Sequence, residues 1–440
     1  MRILFVTPYP PSRIRVRGYG FLTELKREHE VTVMTQCASE QELVDAESLR
    51  HLGCEVIVVQ ESKRYAAIRS GRALFGNDPL QVAYARSAHF ARSVQDLCSQ
   101  RTFDVVHVEH LRGIASMEHL ARTHPLVWDA VDCISLLCKQ TIVAGPSFSV
   151  RMVARLEHER TQSYEARLLG LLRNVVVTSE RDRQAMIEIY NKRAGDLLGD
   201  DGVWGVWGAW RAWDGGVGDV ADVSVLPNGV DLEYFHPGQQ EMSRFNVVFS
   251  GKMSYHANVA TALYLYQQIM PLIWQQLPEA RLTIVGSKPP KAVQLLARDP
   301  RVEVTGYVQD MRPYIQRAAV MVSPMVYSVG IQNKVLEAMA LGTPVVVAAQ
   351  AAAALGARPG RDLLVAESAQ GFADATLRLM HDAELHATLC VCGRRYVEEQ
   401  HNWRVVTDRL VDIYKRAVAN HEGRFQLPVA RVKVGGIGRR

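Results

Sequence analysis

Short runs rich in valine and isoleucine alternate with helical stretches along most of this chain, and the alternation strongly limits the possible folds. In the first half the runs cover residues 2–7, 30–36, 54–60, 103–110, 125–132 and 174–180. They lack strict polar–apolar alternation, which is typical of parallel strands that are covered on both faces. Strands separated by helices in this way predict a doubly wound open sheet.

The same pattern restarts after residue 244. Further strands are predicted at 245–251, 280–287, 301–308, 318–325 and 342–349, with a long helix over 259–277. The connector VLPNGVDLEYFHP, residues 225–237, carries Pro and Asn-Gly turn signals between the two series. Two such sheets place a cleft between them. Open α/β sheets bind ligands at the carboxyl ends of their strands, so the cleft is the predicted site.

Length and charge narrow the class of protein. A chain of 440 residues predicts two or three domains. The formal charge of +5 is concentrated at residues 421–440, which hold five basic residues against one acidic residue. The body is therefore close to neutral, and no nucleic-acid partner is predicted. The start, MRILFVTPYPP, is typical of a first strand rather than a secretory signal, and the chain is predicted to be cytoplasmic with reduced cysteines.

A Gly- and Trp-rich stretch, residues 199–219, belongs to neither series. Four of the seven tryptophans lie here, three residues apart. The glycines lower helix propensity and favour a surface insertion over residues 203–216 without a stable fold. A membrane-facing aromatic stripe is the open alternative.

The stretch GIQNKVLEAMALGTPVV, residues 330–346, indicates a small-residue helix followed by a buried strand. The backbone amides at Gly330 and Ile331 precede the helix, where unpaired N–H groups attract anions. Lys334 adds a positive charge for a phosphate, and Glu337 can accept hydrogen bonds from two adjacent hydroxyls, as on a ribose. The alternative is a surface pair between Lys334 and Glu337, three residues apart on one helix.

This stretch resembles the donor-site helix of retaining GT-B glycosyltransferases of family 4. Within that family's pattern, E-G-F-G-L-x-x-L-E-A-M-A-x-G-x-P-V-V, Glu337 takes the place of the glutamate that binds the ribose hydroxyls. Gly330 and Ile331 match the Gly-Phe pair whose amides contact the donor. Val329 replaces the family's first glutamate, which touches the donor sugar. The variant is similar to a subgroup of sugar transferases of exopolysaccharide and PEP-CTERM systems.

Further segments carry the same resemblance along the chain. The connector resembles the family's N-G-V-D-x-x-x-F, and VVFSGKMSYHANVATAL resembles G-R-x-x-x-x-K-G, whose basic residues hold the diphosphate. The match implies phosphate contacts at Gly251 and Lys252, with Lys334 replacing the family's second lysine. VTGYV resembles the segment that reads the nucleobase, which implies a role for Gly306 and Tyr307. The final helix of the family crosses back to the first domain.

Candidate residues of the first half follow predicted strands. Arg13, Arg15 and Arg17 come after the first strand and suit an anionic acceptor or the donor phosphates, with a solvated loop as the alternative.

Residues 104–113, DVVHVEHLRG, resemble the family's D-V-x-H-x-H, whose second histidine lies near the reacting carbon. Glu109 occupies that position and His110 follows it. Together with Asp132, at the end of the next strand, they are the candidates to orient or deprotonate an acceptor hydroxyl.

The predicted fold is α/β: a GT-B arrangement of two doubly wound, Rossmann-like parallel-sheet domains that face a cleft. The predicted divisions are a first domain at 1–230, a linker at 231–244, a nucleotide-sugar domain at 245–402, a returning helix at 403–420 and a basic tail without fixed structure at 421–440.

The resemblance implies a retaining glycosyltransferase that uses a nucleoside-diphosphate sugar of UDP or GDP type and needs no further cofactor. No D-x-D motif is present, which predicts that no metal is required. The predicted acceptor is a carbohydrate or a lipid-linked molecule in cell-surface polysaccharide or glycolipid synthesis. A peripheral contact of the protein with the inner membrane face is compatible with this prediction. A sugar-nucleotide epimerase and a non-catalytic sugar-nucleotide-binding partner are the alternatives.

Overall fold

A computed structural model describes residues 1–73, 76–145, 147–197, 221–238, 240–325 and 331–425. Within these residues the first sheet has seven strands, all parallel, in the order β3-β2-β1-β4-β5-β6-β7. Its strands are β1 (Arg2–Thr7), β2 (Glu30–Cys37), β3 (Glu55–Gln60), β4 (Val105–Glu109), β5 (Leu126–Val131), β6 (Asn174–Val177) and β7 (Asp222–Val225).

The second sheet has six described strands, also all parallel, in the order β10-β9-β8-β11-β12-β13. They are β8 (Ser243–Ser250), β9 (Arg281–Val285), β10 (Val302–Gly306), β11 (Ala318–Ser323), β12 (Val345–Ala348) and β13 (Leu364–Ala366). The two parallel sheets confirm the predicted α/β fold class.

Helices cover the sheets. Those of the first half are α1 (Val16–Leu25), α2 (Glu40–His51), α3 (Lys63–Ala73), α4 (Leu80–Ala85), α5 (Ala88–Gln100), α6 (His110–Ile114), α7 (Ile134–Ala144), α8 (Phe148–Leu171) and α9 (Glu180–Leu197). Those of the second half are α10 (His256–Tyr264), α11 (Met270–Gln276), α12 (Lys291–Gln294), α13 (Arg312–Gln316), α14 (Asn333–Ala340), α15 (Ala349–Leu355), α16 (Ala369–His381), α17 (Ala383–Gln400) and α18 (Trp403–Phe425). Single 3₁₀ turns lie at Glu118–Arg122 and Leu295–Arg298.

Both faces of the first sheet are buried, which explains why its strands lack polar–apolar alternation. Leu4 belongs to the core on one face and Phe5 to the core on the other. Leu410 and Tyr414 of α18 lie in the same core as Phe5. The last helix therefore packs on the first sheet, although it follows the second sheet in the chain.

The helix predicted over 259–277 is interrupted. The α10 helix ends at Tyr264, a π-helical turn covers Leu265–Ile269, and α11 starts again at Met270. Pro271 stands at the beginning of α11. Proline lacks the N–H that would continue the α-helical ladder, so a local change of hydrogen-bond spacing precedes it.

Three other boundaries differ from the predictions. The short strands β7 and β13 were not predicted, since each is only three or four residues long and pairs at a sheet edge. The last helix continues through residues 421–425, which were predicted to be part of an unstructured tail. Hydrophobic contacts of α18 with the first sheet extend as far as Val418. The predicted insertion at 199–219 and the rest of the tail lie outside the described residues.

Candidate functional site

The α14 helix presents Lys334 and Glu337 at the carboxyl-terminal edge of the second sheet. Val335, Leu336 and Met339 are buried in the core beneath it, as are the alanines at 338 and 340. This packing fixes the helix on the sheet. Positions three apart lie on one face of a helix, so the two charged side chains share the half-exposed side.

The Lys334 ammonium is held at the end of strand β8. Its Nζ donates to Asn258 Oδ1 at 2.5 Å and lies 4.7 Å from the centre of the Phe249 ring. Asn258 Nδ2 in turn donates to the backbone oxygen of Lys252 at 3.0 Å. Burial lowers the pKa of Lys334 to about 8, and the charge of Glu337 opposes that change. Asn258 therefore orients Lys334 and the backbone at Lys252 together.

No oppositely charged group among the described residues contacts the Glu337 carboxyl. No ion pair joins it to Lys334, and no other described residue donates a hydrogen bond to its carboxylate. Burial raises the pKa of Glu337 to about 7, with the nearby charge of Lys334 acting in the opposite direction. The alternative of a solvated surface pair is wrong, because Lys334 bonds Asn258 instead. The Glu337 carboxylate is left able to accept hydrogen bonds from a ligand.

Two glycines allow the ends of β8 and β9 to meet beside this helix. Gly251 and Gly286 have φ values of +155° and +158°, which other residues rarely adopt. A Cβ at Gly286 would lie 1.8 Å from the backbone oxygen of Gly251, and one at Gly251 would lie 2.8 Å from Asn258 Nδ2. Only glycine fits either position. The exposed Lys252 follows directly, at the edge where the sheet would meet a diphosphate.

The remaining predicted donor residues are spread along the same edge. Gly306 ends strand β10 with a φ of +69°, and Tyr307 after it is 79% exposed. Ile331 is buried in the core under α14. Gly330 and Val329 lie outside the described residues.

Strained backbone marks the facing edge of the first sheet. His110, after β4, has a φ of +69°, and Val131, at the end of β5, has a φ of +68°. A positive φ is an outlier for a β-branched residue such as valine. Residues held in such conformations cost about 1–3 kcal/mol and cluster at functional sites. Both outliers lie at carboxyl ends of adjacent strands, where the candidates Glu109, His110 and Asp132 were predicted.

Glu109 and His110 carry groups that burial keeps neutral. Burial raises the pKa of Glu109 to about 8, the charge of Asp129 adds to this, and Arg17 opposes it. Burial lowers the pKa of His110 to about 4, and the positive charge of Arg112 contributes in the same direction. The Arg112 backbone N–H donates to His110 Nδ1 at 3.2 Å. The imidazole is therefore neutral at physiological pH and fixed in orientation.

Asp132 lies on the same edge, and its negative charge acts on Tyr255 of the second domain. Burial raises its pKa to about 7, the charge of Asp182 adds to this, and Thr178 Oγ1 donates to Asp132 Oδ1 at 3.1 Å. The pKa of Tyr255, in the loop before α10, is raised first by burial and then by the charge of Asp132.

The three predicted arginines have different environments. Arg17 lies in α1 rather than on a solvated loop, and its Nε donates to Asp129 Oδ2 at 2.7 Å with both side chains buried. Arg15 pairs with Glu42 at 3.0 Å and stacks over the Tyr9 ring. Arg13 is exposed. The alternative of a solvated loop is wrong for Arg17, because the helix begins at Val16 and buries its side chain. The predicted contact of these arginines with an anionic acceptor or the donor phosphates stays a prediction.

The sequence predicted no role in the site for Tyr9, Tyr255 or Asn258. Tyr9 lies directly after β1, and its ring centroid is 6.4 Å from that of His110. Burial raises the pKa of Tyr9 to about 12, with the charge of Glu109 as the next cause. Its place after the first strand was the available signal. Asn258 and Tyr255 had no comparable signal, since their roles depend on contacts with distant residues.

A family model described as Glycosyl transferases group 1 matches residues 244–382. No curated protein matches the chain significantly. Among the described helices, none is long and apolar enough to cross a membrane.

Solved structures of low sequence identity share the fold over nearly the whole chain. Anabaena HepE in complex with UDP is 13% identical with a TM-score of 0.63, covering 94% of this chain and 100% of that chain. Sucrose-phosphate synthase from Thermosynechococcus elongatus is 15% identical with a TM-score of 0.63, covering 96% and 100%. TarM is 10% identical with a TM-score of 0.64, covering 94% and 99%. This chain therefore has the GT-B fold, and the family match supports a glycosyltransferase.

Proposed function

We propose that this protein transfers a sugar from a nucleoside-diphosphate sugar to an acceptor hydroxyl in cell-surface polysaccharide or glycolipid synthesis. The transfer retains the anomeric configuration and needs no divalent metal, and the acceptor is carbohydrate or lipid-linked at the cytoplasmic side of the membrane. The observation that carries the proposal is the arrangement of Lys334 and Glu337 on one face of α14, with Lys334 bonded to Asn258 of α10.

The donor site follows from the chemistry of these groups. The ammonium of Lys334 and the exposed Lys252 supply positive charge where the glycine ends of β8 and β9 let a diphosphate approach the backbone. The Glu337 carboxylate, which has no ion-pair partner in the described part of the chain, accepts hydrogen bonds from the two ribose hydroxyls. Solved complexes of HepE hold UDP or UDP-glucose, which supports a UDP-type donor.

The reaction breaks the bond between the anomeric carbon and the diphosphate oxygen, and the electron pair stays on the diphosphate. Lys334 and Lys252 stabilise that developing charge, a contribution of several kcal/mol in comparable sites. The acceptor oxygen forms the new bond to the anomeric carbon, and its proton passes to a base of the first domain. Glu109 and Asp132 are the candidates, since pKa values of about 8 and about 7 leave a fraction of each carboxyl ionised near neutral pH, and that ionised form is the base.

Donor binding tests the proposal directly. The full chain is titrated with UDP-, GDP- and ADP-sugars by calorimetry, and Glu337→Gln and Lys334→Met are compared with Glu303→Gln, an exposed control on β10. Loss of a charged hydrogen bond predicts affinity reduced by roughly 10- to 100-fold for the first two variants and unchanged affinity for the control.

Turnover with and without acceptor separates the classes of activity. A glycosyltransferase releases the nucleoside diphosphate far faster when a lipid-linked or carbohydrate acceptor is present. An isomerised sugar formed with no acceptor would indicate an epimerase. Donor binding without any turnover across acceptors would indicate a binding protein, and equal affinity of all variants would refute the donor site.

A further inference from the structure

The solvent-facing side of the first turns of α8 is apolar. Phe148, Met152 and Leu156 are spaced four apart and form one stripe, with Val153 beside it. Phe148 is 72% exposed, and the other three are between 46% and 55% exposed. A surface helix normally turns its apolar stripe toward the core. Here Ala154 and Glu157 face inward instead.

The end of α7 extends this surface. Val143, in the last turn of α7, is 82% exposed, and α7 packs along α8. We call Val143, Phe148, Met152, Val153 and Leu156 the hairpin patch. Single exposed apolar residues need no explanation, but five large ones on two helices that pack together indicate a binding surface.

The residues of the hairpin patch lie in a basic segment that ends before Glu157 and Glu159. Residues 133–156 contain Lys139, Arg151 and Arg155 and no acidic residue. Lys139 and Arg155 are exposed, and Arg151 Nη1 donates to the Gly145 backbone oxygen at 2.9 Å, which places its charge at the turn between the helices. Apolar side chains interleaved with basic ones match the surface of an anionic bilayer.

The opposite end of this helix pair, where α7 begins, lies at the acceptor side of the cleft. The α7 helix begins at Ile134, two residues after Asp132. Glu165 of α8 accepts from the Ile134 amide at 2.8 Å and from Ser135 Oγ at 2.5 Å, which ties the two helices together there. Since α7 has 11 residues, the hairpin patch lies about 16 Å along the helix from this end.

We propose that the hairpin patch docks the protein on an anionic lipid surface and holds the acceptor side of the cleft next to it. The inference deepens the proposed function and rests on it, because the acceptor proposed there is carbohydrate or lipid-linked. A second copy of this chain fits less well, because two identical patches would bring their basic residues into repulsive contact.

Vesicle co-sedimentation of the full chain tests the docking surface. Phosphatidylcholine vesicles are compared with vesicles that contain about one third phosphatidylglycerol, which supplies the negative surface potential. Phe148→Ser with Met152→Ser is expected to lower the partition coefficient on the order of 10-fold. Leu295→Ser with Val391→Ser, two exposed apolar residues of the second domain, is the matched control and should bind as the wild type does.

Charge is tested separately with Lys139→Gln and Arg155→Gln, which should remove the preference for anionic vesicles. Binding of the patch variant at the wild-type level would overturn the proposal, because the contact would then come from another part of the chain. A concentration-dependent dimer that the patch substitutions abolish, with no vesicle binding, would overturn it in favour of self-association. UDP-sugar titrations run on the same samples report the donor site independently of either result.

Discussion

Asn228 Nδ2 donates a hydrogen bond to Asn333 Oδ1 at 3.0 Å, so the connector between the two sheets is joined to the first residue of α14. Asn228 Oδ1 also accepts from Arg17 Nη1 at 2.8 Å, and Arg17 in turn pairs with Asp129 of β5. A continuous polar path therefore runs from the first sheet to the donor helix. It gives the Asn of the N-G-V-D motif a positioning role between the domains.

We expect Asn228→Ala to destabilise the fold by about 1–3 kcal/mol, because the buried Arg17 guanidinium loses a partner. Turnover should fall more than donor affinity does, since the proposed donor contacts all come from the second domain. Urea unfolding and separate measurement of donor Kd and kcat check this. Asn420→Ala, at an exposed position of α18, is the control. Equal losses in Kd and kcat would contradict a positioning role.

The pH dependence of donor binding should follow the two charged groups of α14. The carboxyl of Glu337 has a pKa raised by burial to about 7, so affinity for a nucleotide sugar should increase as pH rises through 7. Burial lowers the pKa of Lys334 to about 8, so affinity should decrease as pH rises further. Calorimetric Kd values between about pH 6 and pH 9 test the resulting maximum.

Two variants show which residue causes the rise and which causes the fall in donor affinity with pH. Glu337→Gln should flatten the rise at lower pH, because its amide does not titrate. Lys334→Arg should flatten the fall at higher pH, because a guanidinium stays charged in this range. A profile that neither substitution alters would show that other groups control donor binding.

The sequence predicted the strands well because both sheets bury both faces. The Val-rich runs at 2–7 and 30–36 are found as β1 and β2 within one residue. Contacts between distant residues could not be predicted in the same way. The inward turn of Arg17 depends on Asp129, which is 112 residues away, and the bond between Lys334 and Asn258 spans 76 residues. The strain at Val131 depends on backbone geometry that no residue pattern shows.

Trp403 packs against two glycines and joins the last helix to both α1 and the connector. A Cβ at Gly20 would lie 2.1 Å from the indole ring, and one at Gly229 would lie 2.5 Å from it. We expect Gly20→Ala to lower the free energy of unfolding by about 1–3 kcal/mol or more, because the buried indole must shift. Thermal unfolding measures the change.

A matched substitution separates this steric effect from the general effect of alanine in a helix. A Cβ at Gly71 of α3 would meet no atom within 4 Å. Gly71→Ala should therefore leave stability unchanged or raise it by up to about 1 kcal/mol. Similar losses in both variants would rule out the contact with Trp403 as the cause.

Glu109 should make the protein less stable as pH rises. Burial raises its pKa in the folded protein to about 8 from the usual 4.5 of a glutamate, so below pH 4.5 it is protonated in both states. Between these values the unfolded chain ionises while the folded protein retains the proton, and the free energy of unfolding falls. Glu109→Gln removes this cost. Its stability relative to the wild type should increase on the order of 1–3 kcal/mol from the acidic to the alkaline end of the range.

The exposed control Glu399→Gln should show a constant difference from the wild type, and urea unfolding at the two ends of the pH range compares the variants. A constant difference for Glu109→Gln as well would mean that its carboxyl ionises in the folded protein as it does in the unfolded chain, and its assignment as a base near neutral pH would fail with it.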